Sequence, residues 1–164
     1  MYEVEWLKER YHYSELKYSK ISSILYFGII WSIFEKNVFD NNATINQSGA
    51  KSSDLAMALN AQDKRKLTLI WNYFVDRYTE NGVVKESFQY FRFHDNDRRD
   101  LVKRCLSKGA AANYPEKSEA IMRIVFRLRN NLLHGEKDVS NLYGQNNNFK
   151  YANKFLILCI EKIS

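Results

Sequence analysis

The sequence predicts an all-α protein, an antiparallel bundle of about five to six helices in a single domain spanning residues 1–164. Three observations predict this class. Apolar residues recur at helical spacing along most of the chain. The chain contains only one Pro and 6 Gly, too few turn formers for a many-stranded barrel, in which turns recur every ~8–12 residues. Its 164 residues suffice for one hydrophobic core but not comfortably for two.

The first half of the chain predicts two or three helices around a polar loop. Residues 4–39 form one long helix or two, the second beginning at Ser14 as its N-cap. Residues 40–53 have the Asn-rich and Ser-rich composition of a surface loop, and residues 54–59 could add a helical turn. Residues 63–78 follow the 3, 4 and 7 spacing of an amphipathic helix.

The second half predicts three further helices. Residues 83–93 alternate apolar and polar side chains only in part, so a short strand is possible but irregular or helical structure is favoured. Residues 95–106 form a helix with an acidic first turn. Residues 116–134 form an amphipathic helix with Gly135 as its stop. Residues 149–163 close the chain with a strongly apolar helix.

Composition narrows the partners and the compartment. The net charge of +6 favours an anionic partner such as RNA, although charge alone is a weak signal. Cys105 and Cys159 do not form a C-x-x-C pair, and we expect buried thiols. The N-terminus lacks the apolar region of a signal peptide, and no stretch approaches the ~18 apolar residues of a membrane span. The sequence therefore predicts a cytoplasmic protein that does not associate with membranes.

One polar constellation interrupts the end of the helix at residues 116–134. Arg129, Asn130 and His134 follow an apolar stripe there. A His that titrates near neutral pH can accept the proton of a ribose 2′-OH or protonate the 5′-oxygen, and an Arg can bind the scissile phosphate. Asn130 could orient either group. This chemistry predicts RNA cleavage that needs no metal or other cofactor.

The spacing of this pair argues for a second copy of the chain. On an ideal helix, Arg129 and His134 are separated by ~7.5 Å of rise and a rotation of ~140°. They are therefore not automatic neighbours within one chain. A two-fold related copy of the same helix can bring both pairs into one cleft, so we expect a homodimer.

The stretch Arg129-Asn130-Asn131-Leu132-Leu133-His134 resembles the R-N-x-x-x-H signature of the HEPN superfamily. Gly135-Glu136-Lys137, which follows it, is often seen in bacterial members. The segment Trp31-Ser32-Ile33-Phe34-Glu35 is similar to the aromatic-plus-acid pattern on an early helix of many such domains. The motif is short but specific, and it is placed as in the family, near the end of a late helix with one more helix to follow.

The resemblance implies an antiparallel bundle whose dimer forms a composite, metal-independent ribonuclease site. Such sites occur in toxin, phage-defence and CRISPR-associated systems. By matched position, Arg129 and His134 would be catalytic, while Asn130 and Glu35 would support them. An antitoxin or regulatory protein would be a further partner. Some HEPN toxins that are paired with nucleotidyltransferase antitoxins carry a Tyr two residues after the His; Glu136 stands there instead, which argues against that mode of neutralisation.

Other interpretations stay open. The motif could be a solvated helix end, where Arg and His are favoured by the dipole. The chain could be a non-catalytic HEPN module that binds RNA, a nucleotide or a protein, or an unrelated helical protein that binds DNA. His94 and its neighbouring acids could suggest a metal site, although helix capping explains the acids better. Weaker candidates for RNA contacts are the basic residues Arg127, Lys137, Arg98, Arg99, Lys103 and Arg104.

Overall fold

Seven α-helices and one short hairpin make up the part of the chain that the computed structural model describes, residues 2–11, 17–133 and 143–164. The prediction of an all-α bundle is confirmed, but the described residues form seven α-helices where about five to six were predicted. In chain order the helices are α1 (Tyr2–Tyr11), α2 (Tyr18–Phe39), α3 (Ser48–Ala58), α4 (Ala61–Tyr78), α5 (Arg99–Lys108), α6 (Tyr114–Leu133) and α7 (Asn146–Ile163).

The amino-terminal run of apolar residues forms two helices, α1 and α2, and the predicted cap at Ser14 lies outside the described residues. The end of α2 is set by Asp40 and Asn41, whose φ angles of 51° and 61° lie in the left-handed region that closes a helix. The backbone N–H of Asn41 donates to the carbonyl of Glu35 at 3.1 Å. This closure fixes the turn of α2 that carries Glu35.

Helix α3 corrects the prediction of a surface loop over residues 40–53. The loop ends at Thr44; a 3-10 turn (Ile45–Gln47) follows and leads into α3. Ser48 and Ser52 are fully buried, and the Oγ of Ser52 donates to the Sδ of Met122 on α6 at 3.9 Å. Small side chains let two helices approach closely. Because serine is also common in loops, the sequence did not reveal that these residues form the buried face of a helix.

The segment between α4 and α5 combines a hairpin with 3-10 structure. Strands β1 (Thr79–Glu80) and β2 (Val83–Val84) pair in antiparallel fashion, and the positive φ angles of Asn81 and Gly82 suit the tight turn between them. The possible strand over residues 83–93 is thus only two residues long. The remainder of the segment forms 3-10 turns at Glu86–Phe91 and Asp95–Asp97. Two further 3-10 turns lie at Gly109–Ala111 and Tyr143–Gln145.

The core brings α2, α6 and α7 together through aromatic rings. The Phe27 ring of α2 meets Phe149 of α7 edge to face at 4.9 Å between centroids. The Trp31 ring, one turn further along α2, meets Phe126 of α6 edge to face at 5.0 Å. Buried apolar surface of this kind is the main stabilising contribution to such a bundle. It also places the last turns of α6 beside the second half of α2.

Within the described ranges, no helix is both long and apolar enough to cross a membrane.

Candidate active site

Arg129 and Asn130, both predicted site residues, lie together on the last turns of α6 and are partly buried. The Nη1 of Arg129 donates to the Oδ1 of Asn130 at 3.1 Å. Its Nε is buried and has no hydrogen-bond partner among the described residues. None of the described acids forms an ion pair with this guanidinium. Arg129 is therefore a cation whose only described hydrogen-bond partner is a neutral amide.

An aromatic ring supports the guanidinium. The Cζ of Arg129 lies 5.6 Å from the ring centroid of Trp31, within the ~6 Å over which a cation and a ring attract each other. The indole Nε1 of Trp31 donates to the Oε2 of Glu35 at 3.1 Å. Glu35 and Arg129 thus meet the same ring, which brings the predicted supporting residue to the site without an ion pair between the two charges.

Trp31 is the residue that sequence reasoning missed. It was visible within the aromatic-plus-acid pattern of α2, but it had no role there. Its separation of four residues from Glu35 does place both side chains on one face of the helix. Its contact with Arg129 joins α2 to α6, and nothing in the local sequence predicts such a contact.

The second predicted catalytic residue, His134, lies outside the described residues, as does Lys137.

Arg127, a predicted RNA contact, is instead part of the interior. Its side chain is 2% exposed, and its Nη1 pairs with Oδ2 of Asp97 at 3.4 Å. Its Nε donates to the carbonyl of Phe91 at 3.1 Å and its Nη2 to the Oδ1 of Asn131 at 3.2 Å. Two residues correspond to a rotation of about 200° on a helix, so Arg127 points away from Arg129. This placement does not fit a contact with RNA.

The other basic candidates lie on and before α5. Arg98, Arg99 and Arg104 border an open cleft of about 300 Å³, together with the acids Asp95 and Asp100. The acids reduce the positive charge of this cleft. The Nη1 of Arg98 also lies 3.3 Å from Glu119, and Lys103 lies 6.0 Å from the Phe88 ring. These side chains could touch a phosphate backbone, but no described contact joins them to Arg129.

Asp97, one of the acids near His94, has a structural role. The Oδ2 of Asp97 accepts the backbone N–H of His94 at 2.8 Å and pairs with Arg127. No group of three potential metal ligands was found among the described residues. Cys105 and Cys159 are buried thiols, as predicted, and burial raises the pKa of both. A raised pKa leaves little thiolate at neutral pH and argues against a nucleophilic cysteine.

Comparison with known proteins gives no relative for this chain. No protein-family model matches it, and no curated protein or solved structure does so either. The resemblance to the HEPN superfamily therefore stays a prediction, and it rests on the residues of the motif at positions 129–134.

Proposed function

We propose that this protein is a metal-independent endoribonuclease of the HEPN type, acting as a homodimer in a bacterial toxin or anti-phage defence system. Arg129 would bind the scissile phosphate and His134 would transfer the proton. The observation that carries the proposal is the state of Arg129, a partly buried cation held by a ring and a neutral amide. An anionic ligand would supply the charge that its described surroundings lack.

The chemistry follows from these groups. The 2′-oxygen attacks phosphorus, the bond to the 5′-oxygen breaks, and the products are a 2′,3′-cyclic phosphate and a 5′-hydroxyl. An imidazole takes the proton of the 2′-OH or supplies one to the leaving oxygen. A guanidinium stabilises the charge that develops on the phosphoryl oxygens. Single-stranded or loop RNA suits this reaction because its flexible sugars can reach in-line geometry.

An exposed apolar stripe on α2 supports the homodimer. Each of its five large side chains is between 44% and 63% exposed. They are Tyr18, Leu25, Tyr26, Ile29 and Ile33. Taking on the order of 100 Å² for each half-exposed large side chain, the stripe offers roughly 500 Å². This is more than half of the ~800 Å² that each partner contributes to a standard interface.

A second copy of the chain suits this stripe because a two-fold interface uses one patch twice and so needs no separate complementary surface. Gly28, beside Ile29, has open space around its Cα, which would let another helix come close. Ile33, at one end of the stripe, is two residues from both Trp31 and Glu35. Two residues correspond to a rotation of about 200° on a helix, so the stripe faces away from Trp31 and Glu35; it supports a homodimer without by itself bringing the two sites to its interface. The proposal places the dimer in the cytoplasm with an antitoxin or regulatory protein as a further partner.

The test is a cleavage assay on labelled single-stranded RNA in EDTA, with fragments and their 3′ ends identified. Four proteins are compared, the wild type, Arg129→Ala, His134→Ala and the matched control Arg65→Ala, which removes an exposed arginine of α4. We expect the wild type and the control to cut and leave cyclic or 3′-phosphate ends, while the other two do not. Cleavage that needs a divalent metal, or that survives both substitutions, would reject the proposal. RNA binding without cleavage would favour the non-catalytic module.

The composite nature of the site is tested by mixing. Arg129→Ala and His134→Ala, each inactive alone, should recover activity together if one site takes groups from two chains. The charge introduced by Ile29→Asp should convert the dimer to a monomer in analytical ultracentrifugation. The control Leu69→Asp, at an equally exposed position of α4, should leave the dimer intact. A wild type that is monomeric while it cleaves RNA would contradict the composite site.

A further inference from the structure

The Trp31 ring is fixed from several directions. It is 6% exposed and meets Phe34 and Phe126 at centroid distances of 5.4 and 5.0 Å. The only polar atom of the side chain, Nε1, is fixed by its hydrogen bond to Glu35. A flipped indole would leave this N–H without the carboxylate. The orientation of the ring is therefore fixed by Phe34 and Glu35 of α2 and by Phe126 of α6.

Two described interactions hold the guanidinium of Arg129, its contact with the Trp31 ring and its hydrogen bond to the amide of Asn130. Asn130 is adjacent in the chain and moves with the same turn of α6, so it cannot fix Arg129 relative to the rest of the fold. Trp31 can, because it belongs to another helix. The contact also leaves the cation unneutralised, whereas a carboxylate in the same place would compete with a phosphate for its donors.

We propose that Trp31 is a positioning residue for Arg129, and that Glu35 acts through Trp31 by holding the indole in one orientation. The ring holds the guanidinium in place without neutralising it, so that the Arg129 donors stay available to an anion. The catalytic consequence rests on the proposed ribonuclease function, but the positioning itself does not. The test therefore measures both separately.

Positioning is measured by NMR on the Nε–H resonance of Arg129, which is assigned by its loss in Arg129→Lys. The ring current of Trp31 should displace this resonance from the shift of an exposed arginine. Trp31→Leu removes the ring and should abolish the displacement, whereas Trp31→Phe keeps a smaller ring and should retain part of it. Glu35→Ala should change the displacement, while Glu35→Gln, which keeps an acceptor for the indole, should largely restore it.

The control is Trp71→Phe. Trp71 is another fully buried indole, and its Nε1 donates to the carbonyl of Gly109 at 2.8 Å, so this change removes a comparable hydrogen bond elsewhere in the core. It should not move the Arg129 resonance. If Trp31→Leu does not fold, Trp31→Phe and the Glu35 pair still decide the outcome.

Cleavage is measured on the same variants. We expect the rate at which bound RNA is cleaved to fall roughly 10-fold in Trp31→Leu, because this factor corresponds to the energy of a well-formed cation–ring contact. The fall should be smaller in Trp31→Phe. An unmoved Arg129 resonance in Trp31→Leu would overturn the positioning role. A moved resonance with an unchanged cleavage rate would overturn its catalytic consequence. If the wild type itself does not cut RNA, the proposed function fails, and the resonance alone decides the positioning.

Discussion

Arg127 and Arg129 stand two residues apart on α6 and have opposite surroundings. Arg127 is buried, paired with Asp97 and bonded to the carbonyl of Phe91 and the amide of Asn131. Arg129 is partly buried and lies over a ring, and within the described part of the chain its buried Nε has no partner. A cation whose charge and donors are satisfied inside the protein stabilises the fold. A cation whose donors are not satisfied there is the one available to a ligand.

The satisfied side of α6 extends beyond Arg127. Arg123, one turn earlier, is 1% exposed; it bonds Oε1 of Glu119 at 2.8 Å and the carbonyl of Asp97 at 3.2 Å. Asn131, one turn later, donates to the carbonyl of Phe91 at 3.0 Å. This buried polar stripe therefore attaches the segment between Phe91 and Asp97 to α6. The side chains of this stripe bind backbone carbonyls of the protein itself, and they are therefore not available to bind a ligand.

The largest effect is expected from Arg127→Ala. Removing one partner of a buried ion pair costs about 3–5 kcal/mol because the other charge is left unpaired, here that of Asp97. Urea unfolding should show this loss in the free energy of unfolding, while Arg129→Ala changes it by less than about 1 kcal/mol. Equal losses in the two variants would remove the distinction between the two arginines.

A second, smaller effect is expected from Asn131→Ala. The change leaves the Nη2 of Arg127 without its acceptor, and an unmade buried hydrogen bond costs about 1–3 kcal/mol. The matched variant Asn130→Ala removes an amide that is only partly buried and accepts a hydrogen bond from Arg129, and it should change the free energy of unfolding by a few tenths of a kcal/mol at most. Chemical denaturation of both proteins checks this. A larger loss in Asn130→Ala would show that the site side also supports the fold.

A third change sharpens the comparison from the functional side. Arg129→Met keeps the length of the side chain but removes the unpartnered buried Nε. The free energy of unfolding should stay within about 0.5 kcal/mol or rise, because an unsatisfied polar group is lost. RNA cleavage should disappear in the same protein. A marked fall in the thermal midpoint Tm would show instead that Arg129 stabilises the fold.

The smallest effect is expected at Asp63, an acid that, like Arg127, is paired with an opposite charge inside the protein. Lys162 lies 2.7 Å from Asp63 and holds the pKa of that carboxyl below its usual value through a hydrogen bond. A lowered pKa stabilises the folded protein above the ordinary value of ~3.9 and ceases to do so as the pH falls through the folded value.

Asp63→Asn should therefore lower Tm at pH 7, and its difference from the wild type should shrink below pH ~4. Differential scanning calorimetry across this range gives the comparison, with the exposed Asp76→Asn as control. A difference that does not depend on pH would show that the pair with Lys162 is not its source, because the asparagine can still accept the backbone N–H of Asn60 that Asp63 accepts.

The sequence predicted the regular helices well and the roles of individual polar residues less well. The predicted starts of α4, α6 and α7 differ from the observed ones by only two or three residues. This agreement is close because the apolar spacing of these helices is unambiguous. The first part of α3, residues 48–53, was assigned to a loop because Ser48 and Ser52 are buried although their type is usual in loops. Arg127 was predicted as a weak RNA contact because residue type does not reveal burial. Only its angle on the helix, opposite to Arg129, could have separated the two.

The two sides of α6 make the length of this helix as important as its composition. Inserting or deleting one residue between Arg127 and Arg129 would turn everything that follows by about 100°. Asn131 would leave the carbonyl of Phe91, and Arg129 would leave the Trp31 ring in the same step. Substitutions can alter one side of α6 while sparing the other, but a change of register cannot. We therefore expect this helix to tolerate exchanges of residues far better than it tolerates insertions or deletions.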